Sequence, residues 1–239
     1  MSGIARTYTL SGAYRADKQQ SSSHLTEFKM VEAEIAFCDN LDLLLPLVGD
    51  YLHSCARVVL AESSLLNDFN SLAGFSSTDH LRVLESILQF EGQFPRIPYS
   101  EAVEILQKNK QTKGTDGLNK KNEAFLVNYM KSPVFVTNFP TSQKPFYMKR
   151  TPDGQYTESF DFLCPIVGEL AGGSIREESI DVLRQQGGFV EWYEECRRRG
   201  KPISGGFGIG FERLLQVLLG VRNIKDTIPF PRWFKHCQC

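Results

Sequence analysis

The sequence predicts an α+β fold built on a mostly antiparallel sheet. Three observations carry that expectation: two alternating segments near the N-terminus, long helical stretches between later short apolar runs, and hairpin patterns towards either end. The 239 residues suffice for one substantial core or two small domains. With 41% hydrophobic and 23% charged residues, the composition is that of a folded chain rather than a disordered one.

Residues 6–10 and 27–35 alternate with period 2 and read as strands joined by a polar loop containing residues 18–23. Phe28, Met30, Glu32 and Glu34 then share one sheet face. Two carboxylates beside apolar neighbours are costly in a dry core, so this face is either the floor of a polar cleft or a solvated edge strand. Asp39 and Asn40 offer caps for a helix to about Glu62, with a stripe of Leu44, Leu47, Val48, Tyr51, Cys55, Val58 and Val59. Residues 64–92 alternate between helix and loop, ending in a helical run at 81–90 before Pro95 and Pro98. A short helix follows at 99–108, then a Lys-, Asn- and Gly-rich stretch, 109–122, that reads as an exposed insertion.

The second half opens with an apolar strand at 134–137. Residues 146–148 and 159–163 are expected to pair as a hairpin around the turn Thr151-Pro152-Asp153-Gly154. Helices are expected at 177–185 and 189–199, divided by Gly187-Gly188. A glycine-thinned strand at 205–210 then runs into an apolar helix, 211–219, stopped by Gly220.

Charge and cysteine content narrow the chemistry. Lys plus Arg is 27 and Asp plus Glu is 28, and 27 − 28 gives a net charge of −1, so a nucleic acid must be held by a local patch rather than by bulk attraction. The six cysteines form no paired C-x-x-C knuckle, which argues for reduced structural thiols and against a zinc site. Neither a secretory signal nor an uninterrupted apolar span is present, so no membrane partner is expected. Gly206, Gly208 and Gly210 bare one strand face, which either admits a planar ligand against the backbone or merely permits tight packing. The spacing is not that of a dinucleotide-binding fingerprint. Arg15 and Arg213, at the ends of regular elements, suit directed bonds to a polyphosphate. Asp161 and Glu169 are either surface carboxylates or a pair able to hold Mg2+, which takes few protein ligands.

These residues fall into ordered motifs. Tyr14-Arg15-Ala16-Asp17 through His24-Leu25-Thr26-Glu27-Phe28 resembles motif 2 of the class II aminoacyl-tRNA synthetases, and Gly206-Phe207-Gly208-Ile209-Gly210-Phe211-Glu212-Arg213 resembles their motif 3. Lys144 to Met148, Asp161, Gly168-Glu169-Leu170 and Gly172 to Glu177 are similar to the asparaginyl branch, as is the ending at 223–232. The resemblance implies the antiparallel sheet flanked by helices of that family, represented here by the latter part of a catalytic domain over 1–239. Because the anticodon-binding domain and motif 1 would precede Met1, exposed sheet edges and little charging by the isolated chain are expected.

The resemblance also implies an activity. Asparagine and ATP form an adenylate, and the asparaginyl group passes to tRNA(Asn). Arg15 matches the arginine on the α-phosphate and Arg213 the arginine over adenine. The nucleotide-binding set is Asp17, His24, Phe28, Gly208, Gly210 and Arg213. Arg176 matches a residue of the amino-acid pocket, and Asp161 and Glu169 match the ligands of Mg2+. A homodimer is implied, with its motif 1 interface outside this chain, and neither DNA nor membrane is a partner. A mitochondrial location is expected, with the cytoplasm as the alternative. Three departures stand out: Ser23 where the family has an arginine before the histidine, Asp17 for glutamate, and Ser204 for histidine. Lys18, in the same loop, is a possible replacement for the missing cation. The competing readings are an impaired synthetase-derived binding or regulatory protein and a related amide- or adenylate-forming enzyme.

Overall fold

A computed structural model describes residues 4–16, 18, 21–62, 77–112, 117–186 and 190–236. Asp17 therefore lies outside the described residues, as do 64–76 of the expected alternation at 64–92 and the Gly187-Gly188 break. The central feature is a seven-stranded sheet in the order β1-β2-β7-β6-β5-β4-β3. Its strands are β1 (Arg6–Tyr14), β2 (Glu27–Ala36), β3 (Arg96–Pro98), β4 (Val134–Thr137), β5 (Ser159–Cys164), β6 (Gly168–Ile175) and β7 (Ser204–Gly210). Every pairing is antiparallel except β3 with β4. The expected architecture holds.

Cross-strand register gives the sheet two unlike faces. One row reads Thr9, Glu32, Gly208, Gly172, Asp161, and the next reads Thr7, Glu34, Gly206, Ser174, Ser159. These rows are polar or bare. On the opposite face Val31, Ile209, Ala171, Phe162 and Phe135 align, and they belong to the main core. Phe135 stacks on Phe162 at 4.1 Å between ring centroids, with Phe94 and Phe160 closing the cluster.

The helices covering this apolar face are α1 (Leu41–Ala61) and the later α7 (Phe211–Leu219), with α2 (Ser77–Leu88) packed on both. Asn40 caps α1 by accepting the Leu43 N–H at 3.2 Å. Its buried stripe is Leu41, Leu44, Leu45, Val48, Leu52, Ala56 and Val59, whereas Leu47 and Val58 of the expected stripe face solvent. The continuous apolar run obscures the phase of the helix, which contact with the sheet decides. Although α1 is long and apolar enough to cross a bilayer, that stripe is buried against the sheet. Gly220 closes α7 in the left-handed conformation, as expected of a stop residue.

A smaller core lies where α3 (Tyr99–Lys108) and α4 (Lys120–Met130) pack on β3 and β4. The stretch 109–122 is not wholly an exposed insertion. Its end supplies the N-cap Asn119 and the first turn of α4, with Asn122 buried in a reciprocal cap. The expected hairpin is shorter and differently paired: around the turn Arg150 bridges to Thr157, but β5 pairs with β4 and β6, and Met148 bridges to Arg176 rather than to β5. Phe160 and Phe162 are fully buried and hold β5 in the middle of the sheet, which leaves 146–148 at the strand ends. Two short helices, α5 (Ile180–Gln186) and α6 (Glu191–Arg198), begin two to three residues later than the sequence suggests.

Candidate functional site

The bare face of the sheet forms the floor of a cleft of about 700 Å3. Arg15, His24, Phe28, Asp161, Glu169, Arg176, Gly208, Gly210 and Arg213 all line it. Residues separated by up to two hundred positions meet here because β2, β7, β6 and β5 are sheet neighbours.

At one end, Arg15 follows β1 and places its guanidinium 5.3 Å from the centroid of the Phe28 ring. The backbone N–H of Arg15 donates to the Thr26 carbonyl at 2.9 Å, closing the loop between β1 and β2. His24 Nδ1 lies 2.6 Å from Ser21 Oγ. Across from Phe28, Gly208 and Gly210 form a wall without side chains. A Cβ on Gly208 would meet only the Met30 methyl within close range, at 2.5 Å. The cleft reading of Phe28, Met30, Glu32 and Glu34 therefore replaces the edge-strand one: all four line the cavity.

Arg213 projects from the first turn of α7 and donates to the Glu169 carbonyl at 2.7 Å, 3.6 Å from that residue's carboxylate. The neighbouring Glu212 is buried and accepts the Lys29 N–H through both oxygens, at 3.1 and 3.0 Å. This bond ties the start of α7 to β2 and so fixes the root of Arg213.

The carboxylates Asp161 and Glu169 converge over Gly172, where an added Cβ would meet them at 3.5 and 3.3 Å. Lys144 Nζ donates to both Asp161 oxygens at 2.7 and 2.9 Å. Burial nevertheless pushes the Asp161 carboxyl up to about 6, with Lys144 opposing and Glu169 reinforcing the shift. Among the described residues no cluster of three or more potential metal ligands occurs. Two carboxylates around a glycine gap do fit Mg2+, which keeps most of its waters. Glu123 of α4 stands behind them and accepts the Glu169 N–H at 3.1 Å. Burial and the two acidic neighbours raise its carboxyl above the ordinary value.

At the other end, Arg176 donates to Glu34 at 2.9 Å from Nη2 and at 3.2 Å from Nε, and to Ser174 Oγ at 2.7 Å. Ser204 donates to Glu34 at 2.7 Å, so this departure from histidine supplies a hydroxyl to the site. Burial alone would raise the Glu34 carboxyl, but Arg176, Ser204 and Lys201 together hold it below the ordinary value. Glu34 is thus an anion at neutral pH.

Residues 1–234 match the family model described as tRNA synthetases class II (D, K and N). The chain belongs to that family. The synthetase relatives include an asparaginyl-tRNA synthetase of Mus musculus, 39% identical over 99% of this chain and 52% of its own length. An asparagine--tRNA ligase of Vibrio cholerae is 38% identical over 96% of this chain and 51% of its own. An asparaginyl-tRNA synthetase of Pyrococcus horikoshii, solved with asparaginyl-adenylate, superposes with a TM-score of 0.87 at 30% identity, over 99% of this chain and 54% of that one. The chain spans about half the length of the synthetases it matches. An aspartyl-tRNA synthetase of Entamoeba histolytica, at 22% identity and TM-score 0.73, shares the fold.

Several residues in or beside the cleft carry no role by sequence alone. Glu34 is visible there only by face parity, and Lys144 only as part of a motif. Lys120 and Glu123 sit in a polar run that looks solvated. Ser23, in place of the synthetase arginine, lines the cleft, and its hydroxyl is contacted by the Lys120 ammonium; neither Lys18 nor Lys120 itself lines the cleft.

Proposed function

We propose that this chain carries the site at which asparagine is activated with ATP and then transferred to tRNA(Asn). The observation that carries the reading is the Glu34–Arg176–Ser204 arrangement at one end of a cleft whose other end presents Arg15, Phe28 and Arg213. A side-chain amide has both an acceptor and donors. Arg176 engages three of its five N–H groups within the protein, leaving two for the amide oxygen. The anionic Glu34 accepts from the amide nitrogen and repels the carboxylate of aspartate.

The nucleotide then lies between Phe28 and the glycine wall, with Arg213 over its base. Arg15 neutralises charge on the α-phosphoryl group as the asparagine carboxylate attacks phosphorus and pyrophosphate departs. In the second step the terminal ribose hydroxyl of the tRNA attacks the adenylate carbonyl carbon and AMP leaves. Asp161 and Glu169 are the residues that would hold Mg2+, whose chemistry is charge neutralisation between phosphates. No protein nucleophile is needed. The resemblance extends the proposed partners to a second copy of the chain.

The test is exchange of labelled pyrophosphate into ATP by the full-length protein. Exchange should require asparagine, and Arg15→Ala or Arg213→Ala should suppress it at least tenfold, about the loss of one hydrogen bond to a charged group. Exchange driven by aspartate instead, or unaltered in both variants, would overturn the proposal.

A further inference from the structure

The two carboxylates over Gly172 each meet a cation of the protein, and the two meetings differ. Glu169 is half exposed, with Arg213 at 3.6 Å. Asp161 is held more completely: Lys144 Nζ donates to both of its oxygens, at 2.7 and 2.9 Å, and both side chains are largely buried where they line the cleft. Asp161 cannot leave this pair, because it sits within β5 between Phe160 and Phe162, both fully buried. Lys144 can. It follows the short turn Thr141–Gln143 and carries a flexible four-carbon stem. Its ammonium also lies 3.8 Å from the centroid of the buried Phe139 ring, a second foothold that does not depend on Asp161.

A metal ion bound to either Asp161 oxygen stands within a few ångströms of that ammonium, so the two positive charges compete for one carboxylate. A bare divalent ion meets the full repulsion of the lysine. A metal carried by ATP belongs to a complex of net negative charge, which the same lysine attracts. We propose that Lys144 is a resident counter-ion that keeps bare Mg2+ off Asp161, so that the metal enters as its nucleotide complex while the ammonium withdraws onto Phe139. The inference rests on the reading of Asp161 and Glu169 as metal carboxylates. Lys144 is then a positioning residue that acts through Asp161.

Mn2+ suits the same oxygen ligands as Mg2+, and its free form is counted by electron spin resonance. Its binding is measured, alone and as the Mn·ATP complex, to the full-length protein and to Lys144→Met, Lys144→Arg and Asp161→Asn. Lys144→Met should bind bare Mn2+ about tenfold more tightly than the parent, the weight of one charge-assisted bond, and should bind Mn·ATP no more tightly. Lys144→Arg, which keeps a cation, should resemble the parent. Unchanged or weakened binding of bare Mn2+ by Lys144→Met overturns the proposal, since a lysine that merely orients Asp161 helps the metal. Equal tightening of Mn2+ and Mn·ATP overturns it as well, because the lysine would then not distinguish the two forms. If Asp161→Asn leaves Mn2+ binding untouched, the metal reading of the carboxylates falls and the exchange falls with it. If Asp161→Asn abolishes binding while Lys144→Met changes nothing, the metal reading stands and only the exchange falls. Should Lys144→Met not fold, the unaltered protein decides: excess Mg2+ should raise acylation of Lys144 by an amine-reactive reagent, read by peptide mass spectrometry, and unaltered labelling overturns the proposal.

Discussion

Replacing Gly208 by alanine separates the two meanings a bare strand can have. If the glycines exist for packing, alanine should damage the fold; if they exist for a ligand, it should damage binding. An added Cβ at Gly208 meets the Met30 methyl at 2.5 Å and Glu32 Cγ at 3.9 Å, and nothing else among the described residues within 4 Å. The methionine tip can swing away, so the folding cost is within ~1 kcal/mol and is partly offset by the smaller backbone entropy of alanine. At Gly173, on the core face, a Cβ would lie 2.6 Å from the Gly206 carbonyl and 2.6 to 2.7 Å from the fully buried Phe160 ring. Neither neighbour can yield, and overpacking there costs about 1–3 kcal/mol or more. At about 2–4 °C per kcal/mol for a chain of this length, Gly173→Ala should melt several degrees lower while Gly208→Ala stays within ~3 °C of the parent. Ligand binding should show the reverse order. A ring packed against the Gly208 backbone must retreat by a methyl group's depth, and a misfit of that size costs ~1–3 kcal/mol, or roughly 5- to 150-fold in ATP affinity. Calorimetric melting and ATP titration on both variants decide the matter. Parental ATP affinity in Gly208→Ala would refute the claim that this wall faces a ligand.

Three further outcomes are expected of this structure. Glu34→Gln keeps the shape of the proposed amide pocket but removes its anion; two unit charges about 4 Å apart at an effective dielectric of 20 interact by ~4 kcal/mol, and partial solvent access reduces this to about 1–3 kcal/mol. Aspartate should then compete in pyrophosphate exchange at least tenfold better than with the parent, and undiminished exclusion of aspartate would show that discrimination lies elsewhere. His80 is buried with Nε2 donating to the Leu218 carbonyl at 2.7 Å, and burial holds its imidazole below the ordinary value of 6.5 against the pull of that carbonyl. The unfolded chain therefore takes up the proton first, so stability declines as pH falls below about 6.5; His80→Leu should flatten urea-derived stability between about pH 7 and pH 5, and an unchanged slope would contradict the assignment. Phe162 is fully buried between Phe135 and Phe94, and Phe162→Ala should lower unfolding free energy by ~3–5 kcal/mol in denaturant titration, whereas a loss below ~1 kcal/mol would show that the aromatic cluster collapses around the gap.

The sequence was most legible where one pattern served both folding and chemistry. Alternation in 27–36 revealed which side chains share the cleft, because strand parity is strict. The run from Gly205 into Arg213 announced a strand followed by a helix through its change of period, and the resemblance to motifs 2 and 3 singled out residues around it that the structure brings into one cleft. β6 was harder to see as a strand, since the glycines at 168, 172 and 173 dilute any alternation, although the sheet needs them where Glu123, Asp161 and Phe160 approach. The misplaced hairpin had a different origin: the turn at 151–154 forms and its immediate flanks pair, Arg150 bridging to Thr157, but beyond them 159–163 is taken by strands distant in sequence. Lys120 and Glu123 were illegible for a third reason. A side chain at the start of one helix reaching a loop 97 residues away leaves no periodic trace.

β1 is the outermost strand, with Tyr8, Leu10 and Tyr14 turned to solvent and an exposed or half-exposed residue at every position. Apolar burial therefore does little to choose its alignment, which runs from Arg6 opposite Ile35 to Tyr14 opposite Glu27. Yet Arg15 is the next residue, so a slip of two positions would carry its guanidinium roughly 7 Å along the sheet. The aim of the arginine is set by counting along a strand, and the count is kept by a few polar ties: Arg15 N–H to Thr26, the Tyr14 hydroxyl to Glu27, and Arg232 clamping Glu27 from the far end of the chain. The C-terminal segment thereby acts as a ruler stop for a residue more than two hundred positions before it.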